Sequence, residues 1–202
     1  MVCIRVLAEK AVDRRMNEDT GIVADPARDD MLVLVDGLDR EVGSATKWEA
    51  HAKGRLHRAF SVVLVRNGAD GLEILLSRRA GDKYHSGGLW ANSCCSHPRV
   101  GENTVDAACR RVREELGCGA EGLREVAAFV YRAEFDNGLV EHEYDHVLIG
   151  RCEGEPTPDP AEVSAVCWIG LDALASELAQ NPTRFCAWAP MVLSIALARL
   201  VE

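Results

Sequence analysis

Residues 88–117 read GLWANSCCSHPRVGENTVDAACRRVREELG, and this stretch decides the fold of the chain. Its first half is rich in groups that can take part in chemistry. Two adjacent cysteines, Cys94 and Cys95, are followed by His97, and Pro98 closes the segment. In the second half, apolar residues recur among charged ones at helical spacing. A segment that carries thiols and an imidazole therefore leads directly into a helix with an acidic end.

A helix is predicted over about 104–116. Its apolar residues form one stripe, at Val105, Ala108, Cys109, Val112 and Leu116. Asn103 or the threonine after it can cap the first turn, and Gly117 is suited to end the helix because glycine readily adopts a left-handed conformation. Arg111 and Glu115 are four residues apart and therefore lie on the same face.

The helix and the loop before it resemble the Nudix box, whose pattern is G-x5-E-x7-R-E-U-x-E-E-x-G-U, where U is aliphatic. Six positions match, namely Glu102, Arg110, Val112, Glu114, Glu115 and Gly117. Ser96 replaces the first glycine, and Arg111 replaces a glutamate that helps the hydrolases of this family bind catalytic magnesium. A guanidinium cannot ligate a cation but binds phosphate oxygens well. The resemblance therefore implies the Nudix fold without Nudix hydrolysis.

A second resemblance covers nearly all of the chain, from about Met31 to Leu200. Residues 92–98, NSCCSHP, match the N-S-x-C-x-H-P motif of type 1 isopentenyl-diphosphate isomerases, a family with a Nudix-like fold. The resemblance implies an α/β (α+β) fold, a Nudix-like mixed β-sheet sandwich flanked by helices. It also implies the interconversion of isopentenyl and dimethylallyl diphosphate in isoprenoid biosynthesis. Several separated motifs that agree in order carry this resemblance.

The composition is that of a globular protein with one core. The chain has 202 residues, of which 48% are hydrophobic and 27% are charged. Its formal net charge of −9 argues against a general nucleic-acid binder. The same charge would repel an anionic prenyl diphosphate at long range, so such a substrate would need local lysines, arginines or bound cations.

The eight cysteines predict free thiols rather than a disulfide framework. They form no CxxC pair, and Cys109 and Cys167 fall at apolar positions where core thiols are common. Free thiols are typical of a reducing compartment, so we expect a cytoplasmic protein. The sequence shows no signal-peptide apolar region and no apolar run long enough to cross a bilayer, and we expect no membrane partner.

The order of patterns along the chain predicts a partly ordered N-terminal arm over residues 1–30 and one domain over residues 31–202. Short apolar runs bounded by turn residues predict strands, and longer amphipathic stretches predict helices. The predicted strands cover about residues 31–35, 58–66, 72–77, 126–132, 140–150 and 163–169. Besides the central helix, helical segments are predicted over about 47–52, 171–179 and 188–201.

Five side chains predict a site for a divalent cation. Glu141 and Glu143 are two residues apart on a predicted strand and project from the same face. Three imidazoles, His51, His57 and His97, complete a set that suits Zn²⁺ or Mn²⁺. The isomerase family uses a His-His-His-Glu-Glu site in this order, so the resemblance implies one tightly bound Mn²⁺, Zn²⁺ or Mg²⁺. The first two histidines are six residues apart here, whereas the family usually has seven.

The family reaction moves a proton across an unactivated double bond, which requires a strong acid on one side of the substrate and a base on the other. The resemblance implies that Cys95 and Glu143 fill these roles and that Glu143 also contacts the metal. Tyr131 occupies the family's active-site tyrosine position and could relay the proton or orient Glu143. Cys94 matches a variable position of the motif and is expected to be structural.

A carbocation intermediate would need an apolar, electron-rich pocket. Trp90 is one candidate for its wall. The family's second aromatic residue lies in a C-terminal segment whose register here, TRFCAWAP, admits either Phe185 or Trp188.

The diphosphate end of the substrate would need cations. The residues at the family's phosphate-contact positions are Lys47, Arg79, Lys83 and Arg111. Glu115 matches the family's Mg²⁺ ligand, which bridges to the substrate phosphate. The resemblance therefore implies two metals, a tight one at the His/Glu site and Mg²⁺ that arrives with the substrate.

Three other functions are compatible with parts of this pattern. A Nudix-type pyrophosphohydrolase shares the box but explains neither Arg111 nor Cys95. A prenyl-diphosphate cyclase on the same scaffold would also act by protonating its substrate. A non-catalytic metal-binding module would not need the proton-transfer groups. The sequence leaves the oligomeric state open between a monomer and a homodimer.

Overall fold

The computed structural model describes residues 31–201, and the predicted N-terminal arm lies outside the described residues. Within residues 31–201 the strands are Met31–Val35 (β1), Glu41–Thr46 (β2), His57–Gly68 (β3), Gly71–Arg79 (β4), Trp90–Ala91 (β5), Cys94–Ser96 (β6), Gly119–Glu134 (β7), Val140–Glu153 (β8) and Val163–Gly170 (β9). The α-helices are Lys47–Lys53 (α1), Thr104–Leu116 (α2), Leu171–Gln180 (α3) and Ala189–Leu200 (α4), and a short 3₁₀ turn covers Pro182–Arg184.

Strand β3 lies at the centre of the mixed sheet. One of its edges pairs in parallel with β8, so that His57 faces Glu143. The other edge pairs in turn with three antiparallel partners, β1 at His57, β6 at residues 60–62 and β4 from Val65 onwards. Strand β4 also pairs with β9, and β7 forms a long antiparallel hairpin with β8. Strands β6, β3 and β8, which carry predicted site residues, are therefore neighbours.

Alternation along β3 divides the core into two layers. Phe60, Val62 and Leu64 pack in one cluster with apolar residues of α2. Val63 and Val65 pack in the other, with apolar residues of α4. These five side chains are at most 5% exposed. Helices thus cover both faces of the sheet, which confirms the predicted sandwich.

Helix α2 has the predicted bounds because local chemistry marks both of its ends. The side chain of Asn103 accepts hydrogen bonds from the backbone N–H groups of Val105 and Asp106. Gly117 ends the helix in a left-handed conformation with φ of 63°. A Cβ atom there would also collide with Thr157, so glycine is required for two reasons.

Four strands differ from the sequence prediction, which lacks β2 and the short strands β5 and β6 and begins β7 too late. Strand β2 is absent from it, because the residues EVGSAT are mostly exposed and show no apolar alternation. Strand β7 begins at Gly119, well before the predicted start at Val126. Its register against β8 shifts twice, and such bulges break the alternation on which a strand prediction depends.

Among residues 31–201, no helix is both long and apolar enough to span a membrane.

Candidate active site

The predicted acid, base, metal and diphosphate residues meet around one cavity beside β3. Strand pairing sets their positions, because His57 lies opposite Glu143 and Cys95 lies opposite Ser61. Helix α1 packs against β8 and brings His51 to the same place. The cavity lining includes Lys47, Arg79, Lys83, Cys95, His97, Arg111, Glu115, Tyr131, Glu141, Glu143 and Trp188.

Five side chains form a cluster that suits a divalent cation. The ligand atoms that they offer all lie within 4.8 Å of one another, and they come from His51, His57, His97, Glu141 and Glu143. Nε2 of His57 is 3.2 Å from Nε2 of His97, which in turn is 2.8 Å from Oε1 of Glu143. Two ring nitrogens at this distance can share a proton or a cation. Imidazole and carboxylate donors together suit Mn²⁺, Zn²⁺ or Mg²⁺, so the donor set fits a divalent metal.

In His51 and His57, a hydrogen bond at Nδ1 fixes the orientation of the imidazole ring. Nδ1 of His51 is 2.6 Å from the carbonyl oxygen of Lys47, and Nδ1 of His57 is 2.8 Å from that of Arg55. A ring that donates from Nδ1 to a carbonyl leaves the lone pair of Nε2 free to face the cluster. Helix α1 ends at Gly54 in a left-handed conformation with φ of 58°, and the chain turns back there into β3. This reversal brings the two histidines together.

Burial and the neighbouring histidines shift the pKa values of the two carboxylates in opposite directions. Burial alone would raise the pKa of Glu143, but hydrogen bonding and charge from His57 hold it at about 2. Burial and the charge of Glu143 also oppose ionisation of Glu141, yet contacts such as that with His51 lower its pKa. Burial, and then the charge of His57, lowers the pKa of His97 well below its usual value. At neutral pH the carboxylates are therefore ionised and His97 is neutral, as metal ligation requires.

The thiol of Cys95 is held by three polar side chains. Nε1–H of Trp188 donates to Sγ at 3.0 Å, and the S–H group donates to Oδ1 of Asn92 at 3.1 Å. Oγ of Ser61 lies 3.6 Å from the sulfur. Burial, followed by the negative charge of Asp145, raises the pKa of Cys95 well above its usual value. Cys95 is therefore a neutral thiol at neutral pH, which is the form that can donate a proton.

Tyr131 holds the other oxygen of Glu143. The two residues are opposite each other in the β7–β8 hairpin, and the phenol donates to Oε2 of Glu143 at 2.6 Å. Burial, and then the charge of Glu143, raises the pKa of Tyr131, so the phenol stays protonated. A neutral thiol and an ionised carboxylate thus line the same cavity, as an acid and a base would.

Four basic side chains line the same cavity, Lys47, Arg79, Lys83 and Arg111. Two carboxylates lie among them. Nη2 of Arg111 is 2.6 Å from Oε1 of Glu115, one helical turn away, and Lys83 forms an ion pair with Glu162. Burial raises the pKa of Glu115, although the charge of Arg111 opposes this effect. Cations interspersed with carboxylates suit a phosphate that carries Mg²⁺.

Trp188 lines the cavity, and Trp90 does not. The ring of Trp188 lies 6.4 Å from that of Tyr131, and its residue is 5% exposed. Trp90 lies on β5 beside Ala91, and neighbouring strand residues face opposite sides of a sheet. Ala91 lines the cavity, whereas Trp90 lines a separate apolar pocket with Phe185. Trp90 is therefore not among the residues that line this cavity, and of the two C-terminal candidates Trp188 lines it.

The two adjacent cysteines also face opposite sides of their strand. Cys94 is 1% exposed and packs with Val112 and Leu116 of α2 in the core. Cys95 points to the other side and lines the cavity. The alternation of a short strand, β6, thus assigns one thiol to the core and the other to the site.

Three polar residues next to the site are absent from the sequence prediction. Nε2 of His85 lies 2.6 Å from Oε1 of Glu141, Glu162 pairs with Lys83, and Asn92 contacts the thiol described above. The NSCCSHP motif contained Asn92, and that signal could have found it. His85 and Glu162 lie in irregular segments before β5 and β9, where no periodic pattern points to them.

Comparison with known proteins gives first the class and then the family. In fold the chain resembles DR0079 from Deinococcus radiodurans, with a TM-score of 0.62 at 21% identity over 80% of this chain and 96% of that chain. It also resembles the MutT NUDIX hydrolase from Burkholderia pseudomallei, with a TM-score of 0.55 at 24% identity over 69% of this chain and 96% of that chain. The NUDIX domain family matches residues 55–189, more than half of the chain. Fold and site thus define a NUDIX-domain protein.

Closer relatives narrow the class. An isopentenyl-diphosphate Delta-isomerase from Photobacterium profundum is 48% identical over 174 residues, which are 85% of this chain and 97% of the relative. Isopentenyl-diphosphate Delta-isomerase 2 from Aromatoleum aromaticum is 44% identical over 174 residues, 86% of this chain and 88% of the relative. The chain therefore belongs to the isopentenyl-diphosphate Delta-isomerase family of NUDIX-domain proteins.

Proposed function

We propose that the chain catalyses the interconversion of isopentenyl diphosphate and dimethylallyl diphosphate, an intramolecular shift of a C=C bond. Family membership supports the substrate and the reaction class. The observation that carries the mechanism is one cavity lined by a neutral thiol, an ionised carboxylate, an indole ring and a group of cations. A diphosphate hydrolase would need neither the thiol nor the ring.

In the forward direction, Cys95 donates its S–H proton to the terminal methylene carbon of isopentenyl diphosphate. The π electrons of the double bond form the new C–H bond, and the adjacent carbon becomes a tertiary cation. A carboxylate oxygen of Glu143 then removes a proton from the neighbouring methylene carbon, and the electrons of that C–H bond form the new double bond. The substrate gains one proton and loses one. Before the next turnover, Glu143 releases its proton to solvent and Cys95 takes one up from solvent.

Trp188 and Tyr131 prepare the cavity for the positive charge. The indole face offers cation–π attraction, which is strongest where water is excluded, and Trp188 is largely buried. The Tyr131 phenol holds Oε2 of Glu143 in place for proton abstraction. The ionised carboxylate itself also stabilises a nearby cation.

We propose that one divalent cation, Mn²⁺, Zn²⁺ or Mg²⁺, binds tightly among His51, His57, His97, Glu141 and Glu143. When bound there, it would favour the ionised form of Glu143 and fix the direction of the carboxylate. The donor set supports this assignment, because its five ligand atoms all lie within 4.8 Å of one another.

We propose that Lys47, Arg79, Lys83 and Arg111 bind the diphosphate, which carries Mg²⁺ as part of the substrate. Glu115 would contact this Mg²⁺. Arg111 and Glu115 are four residues apart on α2, so one helix face would hold the phosphate both directly and through the cation. The four local cations would offset the repulsion expected from the net charge of −9.

We further propose a cytoplasmic enzyme, a monomer or a homodimer, that binds neither nucleic acid nor membrane. Seven cysteines of the described part of the chain are free, which supports a reducing compartment. The negative net charge supports a small-molecule substrate rather than nucleic acid.

The proposal is tested by incubating the purified chain with isopentenyl diphosphate and Mg²⁺ and separating the products. A parallel assay measures inorganic phosphate and pyrophosphate released from nucleoside diphosphate compounds. We expect dimethylallyl diphosphate in the first assay and no release in the second. Robust phosphate release without isomerisation would instead indicate a hydrolase.

A further inference from the structure

His85 is a buried histidine outside the five-residue metal cluster. It lies in the loop between β4 and β5, and its side chain is 2% exposed. The imidazole stacks on the ring of Phe135, just after β7, with centroids 4.3 Å apart and an angle of 11° between the planes. This stacking covers one face of the imidazole and leaves the two ring nitrogens, at the ring edge, to contact other groups.

The two nitrogens of His85 contact different groups. Nδ1 lies 3.2 Å from Oγ of Ser86, and Nε2 lies 2.6 Å from Oε1 of Glu141. The ionised carboxylate of Glu141 can only accept, so the ring proton belongs on Nε2, and Nδ1 can then accept from the Ser86 hydroxyl. The buried Nε2 atom makes no hydrogen bond of regular geometry among residues 31–201, and its close polar contact is with Oε1 of Glu141. Its stabilisation therefore depends on Glu141, because a buried polar atom without a partner is costly.

Glu141 is consequently held from two sides. Its Oε2 lies 3.1 Å from Nε2 of His51, inside the metal cluster, whereas its Oε1 faces His85, outside the cluster. With one oxygen restrained by His85, the carboxylate offers the other as a single, defined ligand atom. Outer contacts of this kind orient metal ligands and raise metal affinity.

We propose that His85 is a positioning residue that restrains Oε1 of Glu141 and thereby presents Oε2 to the divalent cation. The inference rests on the proposed metal site but not on isomerase activity, so metal binding alone can test it. A role in packing would use only the ring face on Phe135, and a phenylalanine at position 85 would serve that role equally well.

The experiment measures the Mn²⁺ affinity of the full-length chain after removal of metal with a chelator. Free Mn²⁺ is followed by electron paramagnetic resonance. His85→Phe retains an aromatic ring for stacking but loses Nε2, and His85→Gln retains an N–H donor of similar reach. Phe135→Leu is the matched control, because it removes the stacking partner and leaves His85 in place. Thermal unfolding checks that each variant is folded.

We expect the Kd for Mn²⁺ to rise about 10- to 100-fold in His85→Phe. His85→Gln should recover most of the affinity, and Phe135→Leu should stay within a few-fold of wild type. Wild-type affinity in His85→Phe, or an equal loss in Phe135→Leu, would overturn the positioning role. A wild-type chain that binds no divalent cation would overturn the metal site itself. This result differs from failure of the positioning role, in which the wild-type chain binds Mn²⁺ and only the comparison between variants goes against the proposal.

A second measurement needs no variant. Nitrogen-15 NMR of the wild-type chain, loaded with diamagnetic Zn²⁺, reports which nitrogen of His85 carries the proton. The positioning role requires the proton on Nε2. A His85 ring protonated only on Nδ1 would contradict it.

Discussion

Nε1–H of Trp188 donates to Sγ of Cys95 at 3.0 Å, although the residues are 93 positions apart in the chain. The indole belongs to the N-cap residue of α4, and the thiol comes from β6. One side chain therefore contacts the proposed acid and also forms an aromatic wall of the same cavity. The two roles can be separated by mutation.

Trp188→Phe keeps an aromatic face at the cavity but removes the N–H donor. Loss of one hydrogen bond of about 0.5–1.5 kcal/mol predicts a fall in kcat of roughly two- to tenfold. Trp188→Leu also removes the aromatic face, worth about 2 kcal/mol more where water is excluded, and should lower kcat by roughly a further 30-fold. Steady-state kinetics measure both. The control is Phe185→Leu, in the separate pocket, and a larger kcat loss there than in Trp188→Leu would contradict the assignment.

The adjacent cysteines give a matched pair of variants. Cys95→Ala should lose nearly all turnover and keep its fold, because no other thiol faces the cavity from this strand. Cys94→Ala should remain active but lose about 1 kcal/mol of unfolding free energy, because it leaves a small hole behind α2. Turnover and chemical denaturation measure the two effects. Comparable activity in both variants would show that the acid is misassigned.

Arg111→Ala should weaken substrate binding by roughly 1.5–3 kcal/mol, the scale of a charge-assisted hydrogen bond. The phosphate lies away from the reacting carbons and binds alike in ground and transition states, so the loss should appear mainly as a raised KM. Arg113→Ala is the control, since Arg113 is exposed on the same helix. An Arg111→Ala enzyme with an unchanged KM would remove Arg111 from the diphosphate site.

The pKa shifts predict an unusual pH profile. Cys95 must be protonated to act as the acid, and its pKa is raised, so activity is lost only as the pH rises above the ordinary thiol range. Glu143 must be ionised to act as the base, and with a pKa of about 2 it causes no loss of activity between pH 4 and 8. We expect kcat/KM to show no decline near pH 8.5, where an ordinary thiol titrates. A decline with its midpoint there would contradict the environment described for Cys95.

The sequence predicts those parts of the fold that depend on local signals. Helix α2 has both a side-chain cap and a glycine stop, and its predicted bounds match the structure. The grouping of Glu141 with Glu143 follows from strand alternation alone. Strand β2 could not be found, because an edge strand with exposed residues lacks an apolar pattern.

The rest of the site depends on contacts between distant residues. Trp90 lies close to Cys95 in the sequence, yet one step along β5 turns its side chain away from the cavity. Trp188 reaches the thiol only through the packing of α4 on the sheet. His85 reaches Glu141 from an irregular loop, where no periodicity exists to mark it.

The most direct test of the account is proton NMR of isopentenyl diphosphate with the enzyme and Mg²⁺ in D₂O. If Cys95 and Glu143 exchange protons with solvent between turnovers, deuterium should enter the methyl group of dimethylallyl diphosphate as it forms. Cys95→Ala and Glu143→Gln should each abolish both conversion and incorporation. Interconversion without deuterium, or normal incorporation in Cys95→Ala, would contradict the proposed mechanism.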